Sequence, residues 1–115
     1  MSETAIVIAI RLALGKLEDF VVWRNQTGVA TYYTEKGKQM FVPFGLCKGS
    51  SDLIGILAPV GRLVALEVKT IKGKPTKEQL LFVQLVRHMG GFGAVIRSVE
   101  EAVAAIERAR KGETE

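Results

Sequence analysis

Apolar and polar positions change their spacing several times along the chain, and each change marks an element. From Thr4 to Leu14 apolar residues dominate, and Ile6, Ile10, Ala13, Leu14 and Leu17 recur at the spacing of one helix face. The run is interrupted by Arg11, is too short to span a bilayer, and lacks the basic flank and cleavage site of a secretory leader. It predicts a buried helix that starts at Ser2 or Glu3 and ends near Gly15. Phe20 to Trp23 predicts a strand, closed by the polar turn Arg24-Asn25-Gln26-Thr27-Gly28. Val29 to Tyr33 and Gln39 to Val42 then predict a strand pair across the charged turn Thr34 to Lys38. Core packing is the expected use of most of Tyr32, Tyr33, Phe41 and Phe44, with base stacking as the alternative.

The most informative stretch runs from Ser50 to Gln79. Leu53 to Leu57 and Leu63 to Leu66 flank Ala58-Pro59-Val60-Gly61, a turn signal, and predict an antiparallel hairpin. A hairpin centred between Pro59 and Val60 sets Asp52 opposite Glu67, and a slip of one residue would send Asp52 to the other face. Two like charges directly opposed on a sheet destabilise it unless something offsets them, and a divalent cation would do so. Alternation along the strand places Glu67 and Lys69 on one face, with Val64, Leu66 and Val68 on the other.

Thr76-x-x-Gln79 is a capping-box pattern that opens a helix, with Phe82, Leu85, Val86 and Met89 as its expected buried stripe and Gly90-Gly91 as its end. Phe92 to Ile96 is a last short strand, so Leu63 to Ile96 reads as a strand, helix, strand crossover with parallel, right-handed geometry. Ser98-x-x-Glu101 is a second capping box, and Val99, Val103, Ile106 and Ala109 are the expected inward positions of the closing helix. Lys111 to Glu115 is expected to fray. The whole, residues 1–115, reads as one α/β domain: a mixed sheet of about four or five strands flanked by helices.

Composition agrees with a folded domain, since 48% of the residues are hydrophobic and only three are proline. The net charge of +4 is compatible with a polyanionic partner without requiring one. The single cysteine, Cys47, rules out an intramolecular disulfide and suits a reducing, cytoplasmic setting. His88, the only histidine, lies near the end of the second helix without a neighbour that would make a zinc site.

Carboxylates from two adjacent strands, Asp52 and Glu67, together with the backbone carbonyl of Val68, are hard oxygen donors of the kind Mg²⁺ or Mn²⁺ accepts. Lys69 beside them would orient or help deprotonate a water, an arrangement suited to phosphodiester hydrolysis. The plainer account is a sheet edge whose Glu67 and Lys69 pair with each other. An acid-x-Lys triplet by itself arises by chance about once in a chain of this composition, so placement carries the inference. Glu3 has two readings, a helix-dipole partner in the first turn or a further metal ligand. Gln79 likewise is a cap or a group near the scissile phosphate. Arg24 and Asn25 are turn formers or phosphate contacts, and Lys36, Lys38, Lys48, Lys72 and Lys74 are basic loop residues able to meet a nucleic-acid backbone.

Gly49-Ser50-Ser51-Asp52, then Glu67-Val68-Lys69, then Gln79 early in a helix, resembles the PD-(D/E)XK nuclease superfamily and within it the virus-type replication-repair nuclease (VRR-NUC) domain. Glu3, Arg24-Asn25 with Gly28, and the closing strand and helix extend the likeness over nearly the whole chain. Ser51 departs from it, since that family usually has Pro before the Asp. The resemblance implies a restriction-endonuclease-like core and a metal-dependent endonuclease with Asp52, Glu67, Lys69 and Gln79 as catalytic residues. It further implies a homodimer acting on branched DNA such as a Holliday junction, in a bacterial or phage-infected cell, with no membrane and no organic cofactor. The alternative is a DNA-binding module of the same fold without turnover.

Overall fold

The computed structural model describes residues 1–115. It contains α1 (Glu3–Leu14), β1 (Phe20–Arg24), β2 (Gly28–Tyr33), β3 (Gln39–Phe44), β4 (Leu53–Leu57), β5 (Arg62–Val68), α2 (Lys77–His88), β6 (Phe92–Ile96) and α3 (Val99–Arg110). Four strands form one sheet in the order β1-β4-β5-β6, while β2 and β3 form a separate two-stranded sheet. β1, β4 and β5 are antiparallel neighbours, and β6 runs parallel to β5 after the α2 crossover. This is the mixed α/β architecture that the sequence predicts.

The hairpin register also matches. Leu53 lies opposite Leu66 and Leu57 opposite Arg62, so the same register extended by one residue faces Asp52 toward Glu67. A single short turn leaves little freedom for slippage once one face must be apolar.

The main core occupies one face of the sheet, where Ile6, Ile10 and Leu14 of α1 and Ala102, Ala105, Ile106 and Ala109 of α3 meet Phe20, Leu53, Val64, Leu66, Phe92 and Ile96. Burying each of the larger side chains stabilises the fold by about 1.5–3 kcal/mol. The buried stripe of α3 differs from the expected one. Val103 is exposed and Val99 only half-buried, whereas Ala102 and Ala105 face inward, because small side chains let this helix sit close to the sheet and α1. Ser98 caps α3 through the Glu101 N–H, the one half of the expected box that forms.

α2 packs on the opposite face, over β5 and β6. Its buried residues are Val83 and Val86, while Leu85 and Met89 of the expected stripe are exposed and Phe82 is half-buried. The reason lies in β6. A Cβ on Gly93 would come within 2.7 Å of the Val83 carbonyl oxygen, so glycine is what permits this close approach, and the approach selects Val83 over its neighbours.

Two further expectations are corrected. Tyr32, Tyr33, Phe41 and Phe44 lie on β2 and β3, which add nothing to the core, so all four are exposed. The C-terminal tail is tied down: Gly93 N–H donates to the Thr114 carbonyl, Arg87 pairs with Glu115, and the Arg62 guanidinium donates to the carbonyls of Gly90, Gly91, Ala109 and Glu113. Arg62 thereby ties the segments that follow α2 and α3 to the start of β5. No helix is long and apolar enough to cross a membrane.

Candidate active site

The carboxyl end of β5 gathers most of the residues singled out above. Glu67 is 1% exposed on the α2 side of the sheet, and neither of its carboxylate oxygens has a hydrogen-bond partner. Burial first, and then the neighbouring Asp52 carboxylate, together raise its pKa from 4.5 to about 8, against a smaller opposing pull from Lys69. Asp52 sits at the start of β4, where its Oδ2 accepts the Val68 N–H at 2.8 Å. Lys69 is largely buried, with its Nζ 3.6 Å from Glu67 Oε1 and 3.9 Å from Glu3 Oε2. The first turn of α1 therefore reaches the site. Glu3 arrives there as the far partner of Lys69, and the acids form no compact set of three that could hold a metal on its own.

The loop before Asp52 is braced from β1. Asn25 N–H donates to the Asp52 carbonyl at 2.7 Å, its Nδ2 donates to Ser50 Oγ and to the Ser51 carbonyl, and its Oδ1 accepts from the Leu46 N–H. These bonds occupy the Asn25 amide, so its role is to hold the acid loop rather than to contact a phosphate. Gly49, at φ +86°, lies so close to α2 that an added Cβ would be 2.6–2.8 Å from atoms of Glu78. Ser51 is fully buried, with an unpartnered Oγ, where the resembling family has Pro.

Gln79 forms the expected capping box with Thr76: its Oε1 accepts the Thr76 N–H at 2.8 Å, and Thr76 Oγ1 accepts the Gln79 N–H at 3.2 Å. That leaves Nε2 as the group Gln79 can offer a ligand. Arg24 is exposed at the end of β1, and Lys48, Lys72 and Lys74 are exposed on the loops adjoining Asp52 and Lys69. Lys36 and Lys38 lie apart from these, at the tip of the separate β2–β3 hairpin.

Sequence reasoning missed Arg97. Its guanidinium donates to the carbonyls of Thr70, Ile71 and Gly73 and so shapes the loop that carries Lys72 and Lys74. A signal was present: parallel pairing of Val68 with Ile96 brings the next residues, Lys69 and Arg97, side by side.

The donor set fits a small divalent cation. A buried carboxylate with two orphaned oxygens, faced by a second carboxylate, carries a cost that such an ion would remove by supplying positive charge and taking up lone pairs. Asp52 and Glu67 would hold it with the Val68 carbonyl and waters. Compared with known proteins, the chain matches no family model and no curated sequence.

Proposed function

We propose that this chain is a metal-dependent endonuclease of the VRR-NUC type, acting on structured DNA and, in particular, on four-way junctions. The observation that carries the reading is Glu67, a carboxylate buried against Asp52 with no hydrogen-bond partner for either oxygen. A structural site would be expected to satisfy or replace such a group, since an unsatisfied buried acceptor costs about 1–3 kcal/mol and more when charged. When bound, a Mg²⁺ or Mn²⁺ ion supplies Lewis acidity toward a phosphate oxygen and acidifies water. Asp52 and Glu67 would hold and orient that ion, and Lys69, an ammonium kept in place by Glu3, would donate a hydrogen bond or a proton beside it. Lys48, Lys72 and Lys74 provide positive charge for the phosphate backbone. Action as a homodimer, in the cytoplasm of a bacterial or phage-infected cell, belongs to the same reading.

One observation favours the alternative, a DNA-binding module without turnover. Lys69 already lies between Glu67 and Glu3, a pairing that requires no metal. A cleavage assay separates the two. Junction, flap, nicked, duplex and single-stranded DNA are incubated with Mg²⁺, Mn²⁺ or EDTA, with Glu67→Ala as control. Metal-dependent paired nicks in the junction, absent in the variant, are expected. Junction binding by both proteins with no cleavage of any substrate would overturn the nuclease reading.

A further inference from the structure

The β2–β3 hairpin is the part of the chain that the fold uses least. Every residue of β2 is exposed, and neither strand contributes to the core. Strand alternation puts Val29, Tyr33 and Phe41 on one face and Tyr32, Val42 and Phe44 on the other, and all six are exposed. Apolar patches of this kind mark interaction surfaces.

The hairpin is also rooted in the candidate site. β2 follows closely on Asn25, whose side chain braces the loop before Asp52, and β3 runs directly into that loop. A Cβ on Gly45 would lie 2.8 Å from the Gln26 carbonyl oxygen, so the two legs leave the body side by side. Strands of 6 residues give an arm of about 20 Å, the rise of about six base-pair steps. Its charge is one-sided. Arg24 and Lys48 stand at the roots and Lys36 and Lys38 at the tip, with Glu35 as the one acid among them, so most of the net charge of +4 lies on the arm and its roots.

We propose that this arm is a branch-point wedge, which enters the centre of a branched DNA and stacks its two aromatic faces on the base-pair ends exposed there. Two observations select that occupant. Cations at both ends of the arm complement phosphates on either side of the apolar strip, whereas an apolar protein surface offers them nothing. Aromatic side chains face both ways, and a branch point exposes two base-pair faces at once, one on each duplex it separates. A protein lying on one face of the hairpin would leave the other in water. Stacking on aromatic rings accepts any base, so the arm reads branching rather than sequence. The proposal rests on the DNA reading above and adds the element that recognises the branch.

Binding in EDTA tests it, so that cleavage plays no part. Anisotropy titrations with a four-way junction and with linear duplex compare wild type with two double variants, Tyr33→Ala with Phe41→Ala and Tyr32→Ala with Phe44→Ala. Each is checked for an unchanged circular dichroism spectrum and for its mass by sedimentation. Each pair is expected to weaken junction binding at least about fivefold, as loss of one stacked base does, and to leave duplex binding within about twofold. Lys36→Gln with Lys38→Gln is expected to flatten the salt dependence of junction binding, by up to about 1.8 in the slope of log K against log salt. A 2-aminopurine at the branch point is expected to brighten when wild type binds, because the wedge parts it from its neighbour. Equal binding of junction and duplex by wild type, or junction binding unaffected by both aromatic pairs, would overturn the wedge and leave the nuclease reading standing. No binding of any DNA by wild type would overturn both. Loss of junction binding together with a fall in particle mass would assign the hairpin to a protein contact and likewise overturn the wedge. Should a variant fail to fold, the 2-aminopurine signal with wild type decides, and an unchanged signal would overturn the proposal.

Discussion

Asp52 is fastened to the strand that carries Glu67: its Oδ2 accepts the Val68 N–H at 2.8 Å, one residue beyond the paired region of β4 and β5. The bond fixes the direction of the carboxylate. In Asp52→Asn the amide oxygen can keep the Val68 contact while the repulsion of Glu67 disappears. The variant is expected to be at least as stable as wild type in EDTA above pH 8, yet to lose Mn²⁺ affinity by tenfold or more, as about 1.4 kcal/mol or more of lost interaction requires. Urea unfolding and isothermal calorimetry check the two parts.

Glu67 gives a pH dependence whose sign can be worked out. Its pKa is 4.5 when unfolded and about 8 in the folded chain. Between these values the folded chain holds a proton that the unfolded chain has released, so raising the pH favours unfolding, and above 8 the loss is complete. In EDTA, stability is expected to fall across pH 5 to 8 with a slope from this group of at most about 1.4 kcal/mol per pH unit. Glu67→Gln removes the slope. Metal affinity is expected to rise over the same window, since binding displaces the proton. Denaturation at several pH values, with and without Mn²⁺, measures both.

Lys69 bridges Glu67 and Glu3. Lys69→Ala is expected to reduce cleavage by at least about 10²-fold, the lower range for general acid–base catalysis, while metal binding persists. Near-normal cleavage by this variant would remove Lys69 from the mechanism.

For Gln79 the observed capping box makes the first expectation one of stability. Gln79→Ala is expected to lower stability by about 0.5–2 kcal/mol, as loss of a cap does. Comparison with Thr76→Ala isolates any further role, because both variants lose the cap and only one loses Nε2. A cleavage defect confined to Gln79→Ala would place that amide at the phosphate.

Gly49→Ala combines a left-handed backbone angle with a collision against Glu78. A loss of about 1–3 kcal/mol in thermal or urea unfolding is expected. Because Asp52 follows three residues later, metal affinity is expected to fall too.

The β4–β5 register was legible because the Pro/Gly turn suggested a centre for the hairpin, and from that centre the approach of Asp52 to Glu67 followed, although the apolar run of β4 does not by itself exclude a slip of one residue. The helices were less so. In α2, Leu80 to Phe82 and Leu85 supply an apolar arc that is nearly continuous with Val83 and Val86, and only the glycines of β6 determine which part is buried. In α3 the inward residues besides Ile106 are alanines, which hydrophobic periodicity ranks below Val103. The exposed hairpin aromatics had no signal in the chain itself, since their environment depends on what β2 and β3 fail to meet. Asn25 was visible as a turn residue, but its four bonds to the acid loop required the loop to return alongside β1.

Arg97 has a consequence for temperature. By holding the carbonyls of Thr70, Ile71 and Gly73, it orders the loop of Lys72 and Lys74 during folding. An anion meeting those lysines then has little remaining chain freedom to remove, so the ordering component of its association is small. Affinity for a polyanion through this loop would therefore weaken less on warming than it would for a floppy basic segment of the same charge.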